Sequence, residues 1–120
     1  MKNNTVHNIR KTLTYKGYIG EFGIDDSGDL FGKVMDLSHN VLTFEGKTPE
    51  LLEMDFRDML DEYLADCEKE NIVPERPYKG SFNIRIGSER HSLLARVAKE
   101  RNTTINQLIA SAIDHAFSSQ

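Results

Sequence analysis

The sequence predicts an α+β chain of two modules, and three observations carry that expectation. Between Tyr18 and Glu45 apolar and polar residues alternate in short runs separated by turn clusters, the signature of antiparallel strands. From Thr48 to Cys67 the apolar residues recur at helical spacing instead. A second alternation, Ser81-Phe82-Asn83-Ile84-Arg85-Ile86, then stands alone ahead of two further helical runs.

The bulk numbers fit one ordinary or two small soluble domains: 120 residues, 38% hydrophobic and 28% charged. Apolar runs are only a few residues long, so no membrane span is expected, and the opening Met1-Lys2-Asn3-Asn4-Thr5-Val6-His7 lacks the apolar core of a secretory signal. Cys67 is the only cysteine, which excludes an internal disulfide and fits a reducing cytoplasm. The net charge of −4 is unevenly spread. Residues 1–78 hold 9 bases against 16 acids, whereas residues 79–120 hold 6 bases against 3 acids. An acidic front and a basic back predict different partners, with phosphate suiting the back.

In chain order, residues 1–11 are polar without a period and read as a flexible arm. Tyr18 to Ile24 alternates, Asp25-Asp26-Ser27-Gly28-Asp29 turns, and Leu30 to Met35 returns. Ser38-His39-Asn40 turns again before a third strand, Val41 to Glu45. This predicts a three-stranded meander. Thr48 is a good N-cap, Pro49 suits the first helical position, and Glu50 favours the positive end of the helix dipole. Leu52, Phe56, Met59, Leu60, Tyr63, Leu64 and Cys67 form the inner face of that helix, which should cover the meander. The first module spans 1–73, and the proline-bearing stretch 74–80 reads as a linker.

The second module spans 81–120. Ser88 reads as the N-cap of a helix whose inner face holds Leu93, Leu94, Val97 and Ala98. Thr104-Ile105-Asn106-Gln107 has capping-box spacing, and Ile105, Leu108, Ile109, Ala112, Ile113, Ala116 and Phe117 line the last helix. A lone strand needs a partner, and about 40 residues are near the size at which a domain needs one to fold. The economical solution is pairing with a second copy. Phe82, Ile84, Ile86, Leu94, Val97, Leu108, Ile109, Ala112 and Ile113 would form the dimer core, in a homodimer or higher even-numbered oligomer. Ser81, Asn83 and Arg85 would then face outward from a two-stranded ribbon, and such residues read base edges in a DNA major groove.

Ser81 to Ile86, Leu94-Ala95-Arg96-Val97-Ala98 and Thr104-Ile105-Asn106 resemble the Arc/MetJ ribbon-helix-helix repressors, without gaps against Arc from Ser81 to Phe117. That resemblance implies base reading by Ser81, Asn83 and Arg85 and phosphate binding at Thr104, Ile105 and Asn106, a helix start where anions are favoured. Tyr15-Lys16-Gly17-Tyr18-Ile19-Gly20, Leu30-Phe31-Gly32, Leu42-Thr43-Phe44-Glu45-Gly46, the helix from Thr48 to Cys67 and Pro77-Tyr78-Lys79-Gly80 resemble HicB-family antitoxins. It implies a degenerate RNase H-like front domain that binds a HicA-like ribonuclease toxin, and a back domain that represses the operon by binding operator DNA.

Asp55, Asp58, Glu62 and Asp66 on the acidic helix face are the candidate toxin-facing residues. The competing reading is a free-standing ribbon-helix-helix regulator whose front domain senses a ligand or mediates assembly. Asp25, Asp26 and Asp29 sit where turns favour aspartate and lack calcium-loop spacing. His7, His39, His91 and His115 show no ligand spacing. No enzymatic activity, metal or cofactor is expected.

Overall fold

The computed structural model describes residues 6–119. They divide into two compact units, with the boundary between Ser81 and Phe82.

The first unit is an antiparallel meander of four strands in the order β1-β2-β3-β4, followed by one helix: β1 (Val6–Tyr15), β2 (Tyr18–Asp25), β3 (Leu30–Val34), β4 (Thr43–Gly46) and α1 (Pro49–Lys69). The α+β expectation holds, with one strand more than foreseen. The arm expected over 1–11 is strand from Val6 onward, and residues 1–5 lie outside the described residues. Tyr15 pairs with Tyr18 across a two-residue turn in which Lys16 and Gly17 both have positive φ, 51° and 85°. Such a turn matches the twist of the flanking strands and closes the tightest hairpin. The β2–β3 turn is built by Asp25, whose Oδ1 accepts the N–H groups of Ser27 at 3.0 Å and Asp29 at 3.1 Å, while Gly28 takes φ 88°. That is the backbone role foreseen for this cluster.

One sheet face packs on α1. Tyr18, Val34 and Phe44 from the sheet and Leu52, Phe56 and Leu60 from the helix form the buried core, with Leu13, Tyr15, Phe22, Leu30, Met59, Tyr63 and Leu64 against it. Phe44 and Phe56 pack as a tilted pair with ring centroids 4.7 Å apart. Gly20 exists to let them: a Cβ there would lie 2.6 Å from Phe44 and 2.7 Å from Phe56. The helix start is as expected, with Thr48 Oγ1 accepting the Leu51 N–H and Pro49 in the first turn. At its end Asn71 (φ 58°) closes a Schellman motif, Ile72 N–H donating to Cys67 O at 2.8 Å and Asn71 N–H to Glu68 O at 3.2 Å.

The second unit contains α2 (Ser88–Glu100) and α3 (Ile105–Ala116). Gly87, not Ser88, is the N-cap of α2, and no side chain caps it; Ser88 is the first helical residue. Asn102 (φ 53°) ends α2 with the same motif as Asn71, Thr103 N–H donating to Ala98 O at 2.9 Å. Thr104 and Gln107 form the reciprocal capping box foreseen for α3. Among the described residues no helix is long and apolar enough to cross a membrane.

Candidate functional site

Residues 81–87 form no strand within the chain, and Ser81 to Arg85 are all exposed. The alternation is therefore intact but unpaired here, with Phe82 80% and Ile84 61% exposed. The candidate base readers Ser81, Asn83 and Arg85 share the segment's other side by register. The helices that follow do not hide their apolar residues either. Of the nine residues expected in a dimer core, none is buried: Ile86, Leu94, Val97, Leu108 and Ile109 are half-buried and Phe82, Ile84, Ala112 and Ile113 exposed. Ala98 is the one buried side chain among the described residues of this unit. Two helices joined by a four-residue connection simply have too little facing surface to cover so wide a stripe.

At the start of α3, Thr104 is occupied by its cap. Its hydroxyl accepts the Gln107 N–H at 3.1 Å and its own N–H donates to Gln107 Oε1 at 3.2 Å. The N–H groups of Ile105 and Asn106 are the first helical ones, which an α-helix leaves without an intrahelical acceptor. That leaves them available to an anion. Of the basic residues nearby, Arg90 donates to Ile86 O at 3.1 Å and Arg96 pairs with Glu100 at 2.7 Å, while Lys99 and Arg101 are exposed.

In the first unit the candidate partner face is the outer side of α1. Asp55, Asp58, Glu62 and Asp66 are all exposed there, and Leu51 and Met54 lie exposed beside the first two. Asp55 also has a structural duty that the sequence does not announce: its Oδ2 accepts the Glu45 N–H at 2.8 Å, tying the helix to the β4 edge. A carboxylate on an edge N–H blunts that edge against further pairing. Asp61, on the same helix, is held below the usual carboxylate range, first by its hydrogen bond from Lys16 at 2.7 Å.

A polar cluster that sequence reasoning missed centres on Glu75. Its carboxylate accepts the backbone N–H groups of Ser38, His39 and Asn40 and the Asn40 side-chain amide. These donors hold its pKa down to about 2, the Ser38 N–H contributing most. Glu75 N–H donates to the Tyr63 hydroxyl at 3.0 Å, and the Tyr18 hydroxyl donates to Glu75 O at 2.7 Å. The only hint in the sequence was a glutamate flanked by prolines after a helix, too common a pattern to read.

Asp25, Asp26 and Asp29 remain turn residues, and among the described residues no group of three or more His, Cys, Asp or Glu side chains could hold a metal ion. Cys67 is buried on the inner face of α1.

Residues 63–113 match the model of the HicB family. The match spans a little under half of the chain and is a likeness of that part to the HicB family, a family that points to toxin–antitoxin systems and to a toxin as the kind of partner. It runs from the last two turns of α1 through the Glu75 segment and α2 into α3. The HicB match thus takes in all three candidate base readers, Ser81, Asn83 and Arg85, and the start of α3. Neither the comparison with curated proteins nor that with solved structures returns a match.

Proposed function

We propose that the chain is a HicB-type antitoxin that neutralises a HicA-like mRNA interferase and represses its own operon, without enzymatic activity of its own. The observation that carries this reading is the second unit's uncovered apolar surface: none of nine expected core residues is buried, and an unpaired alternating segment precedes them. In a cytoplasmic homodimer, Ser81 to Ile86 would pair with its copy as a ribbon-helix-helix head. Phe82, Ile84 and Ile86 would turn onto the helices. Ser81, Asn83 and Arg85 would turn toward bases, with the Ile105 and Asn106 N–H groups on a phosphate.

In this reading the first unit, taken as a degenerate RNase H-like domain, meets the toxin. Its α1 face presents Asp55, Asp58, Glu62 and Asp66 where an RNA-binding protein would present bases. Complementary charge speeds and selects such an encounter. The deciding experiment co-expresses the chain with the product of the neighbouring gene, which this reading expects to be a small basic protein. Rescue of growth, a stable complex, and retardation of the shared upstream DNA are the expected results. DNA retardation without any toxin interaction would support the free-standing regulator instead, and RNA cleavage by the purified chain with Mg²⁺ would refute the absence of enzymatic activity.

A further inference from the structure

Residues Pro74–Tyr78 are not a loose connection: they are fastened to the first unit along their length. Glu75 holds the 38–40 turn through three backbone N–H groups and the Asn40 amide. Arg76 donates to Lys16 O at 2.6 Å and lies 4.8 Å over the Tyr18 ring. The Tyr78 hydroxyl donates to Asp36 Oδ2 at 2.6 Å. Immediately beyond, the fastening stops. Gly80 takes φ 88° with nothing within 4 Å of a Cβ placed there, and Lys79 to Arg85 are exposed.

The attachment is polar. Arg76 and Tyr78 are exposed, Pro74, Glu75 and Pro77 half-buried, and the buried core of the first unit includes no residue of 74–78. Its deepest contacts are hydrogen bonds at the edge of that core, Tyr18 hydroxyl to Glu75 O and Glu75 N–H to the Tyr63 hydroxyl, so lifting the segment exchanges these bonds for water while the apolar cluster stays packed. The turn that receives it is held in an uncommon conformation, with Asp36 at φ 62°.

We propose that Pro74–Tyr78 is a detachable strap that sets the length of the tether to the second unit. Fastened, it leaves only the residues after Tyr78 free. Released from the 36–40 turn, it adds five residues, up to about 17 Å of reach at the extension of a fully stretched chain. The proposal does not depend on what the second unit binds. Anything that engages the 36–40 turn competes with Glu75 and Tyr78 and so lengthens the tether.

The test uses the full chain, with hydrogen exchange followed by mass spectrometry and brief trypsin digestion. In the Glu75→Ala/Tyr78→Phe double variant, the Ser38 to Asn40 amides should exchange about tenfold faster or more, as loss of bonds to a charged acceptor implies. Cleavage after Lys79 should rise by about tenfold relative to cleavage after Arg85, which lies beyond the strap, for the same reason. Exchange at Met35, whose N–H bonds Ile19 O at 2.8 Å within the sheet, should stay unchanged. Unchanged exchange at 38–40 would overturn the proposal. Equal acceleration at Met35 would also overturn it, because the segment would then be inseparable from the fold. If the double variant does not fold, Tyr78→Phe alone should raise cleavage after Lys79 about tenfold, the worth of one hydrogen bond to a carboxylate, and no rise would overturn the strap.

Discussion

Glu75 and Asn40 are joined twice: one carboxylate oxygen, Oε1, accepts the Asn40 backbone N–H at 3.2 Å and its side-chain amide at 3.0 Å. Thirty-five residues separate them in sequence, so this pair ties the exit of α1 to the β3–β4 connection. Its electrostatics make it testable. Glu75 is drawn from an ordinary 4.5 to about 2 by its N–H donors. A carboxyl with a depressed folded pKa adds stability above its ordinary pKa and loses it as pH falls through the folded one. Between pH 4.5 and 2 the thermal midpoint of the wild type should therefore fall more steeply than that of Glu75→Ala, followed by circular dichroism. Parallel curves would mean that the bonds do not form in solution.

Gly20 is required by contact, not by backbone conformation, since a Cβ there would lie 2.6 Å from Phe44 and 2.7 Å from Phe56. Gly20→Ala should destabilise the first unit by about 1–3 kcal/mol through overpacking. Phe44→Ala should cost about 3–5 kcal/mol through the cavity it leaves. Urea unfolding of each variant measures both, and the overpacked site should be partly rescued when Gly20→Ala is combined with Phe44→Leu.

Thr104→Ala removes the acceptor for the Gln107 N–H and should destabilise the second unit by about 1 kcal/mol. Thr104→Ser keeps the oxygen and should sit near wild type. Denaturation monitored through the helical signal distinguishes them.

Arg85→Ala and Ile84→Asp change opposite sides of one exposed segment. On the proposed ribbon reading, Arg85→Ala should leave the dimer intact and cost about 1–3 kcal/mol of discrimination between operator and unrelated DNA. Ile84→Asp should dissociate the oligomer and abolish DNA binding with it. Analytical ultracentrifugation alongside gel retardation reads both; a stable monomer in the wild type would remove the ribbon.

Truncation separates the linker reading from the fastened one. A chain ending at Val73 loses Glu75, Arg76 and Tyr78 and should melt below a chain ending at Ser81, which keeps every contact of the first unit. Equal midpoints would restore the plain linker.

Local rules carried much of this fold into the sequence. α1 could be read from Thr48, Pro49 and a helical apolar period, and α3 from its capping box, because caps and periodicity act within one or two turns. The Asp25–Asp29 turn was legible for the same reason. The first strand was missed although Thr12-Leu13-Thr14-Tyr15 alternates and Lys16-Gly17 separates it from Tyr18. Read as a two-residue turn, that pair would have revealed the hairpin.

The candidate base readers and dimer core residues were named from alternation and helical spacing together with the resemblance to ribbon-helix-helix repressors, and their exposure in the single chain follows from how few partners 39 residues can offer. What only the tertiary structure decided are contacts between residues distant in sequence: Asp55 on Glu45, Tyr78 on Asp36, and above all Glu75 on the 38–40 turn. No period or propensity marks a carboxylate that will meet three N–H groups from another loop, since that meeting exists only once α1 has packed across the sheet and set the direction in which the chain leaves it.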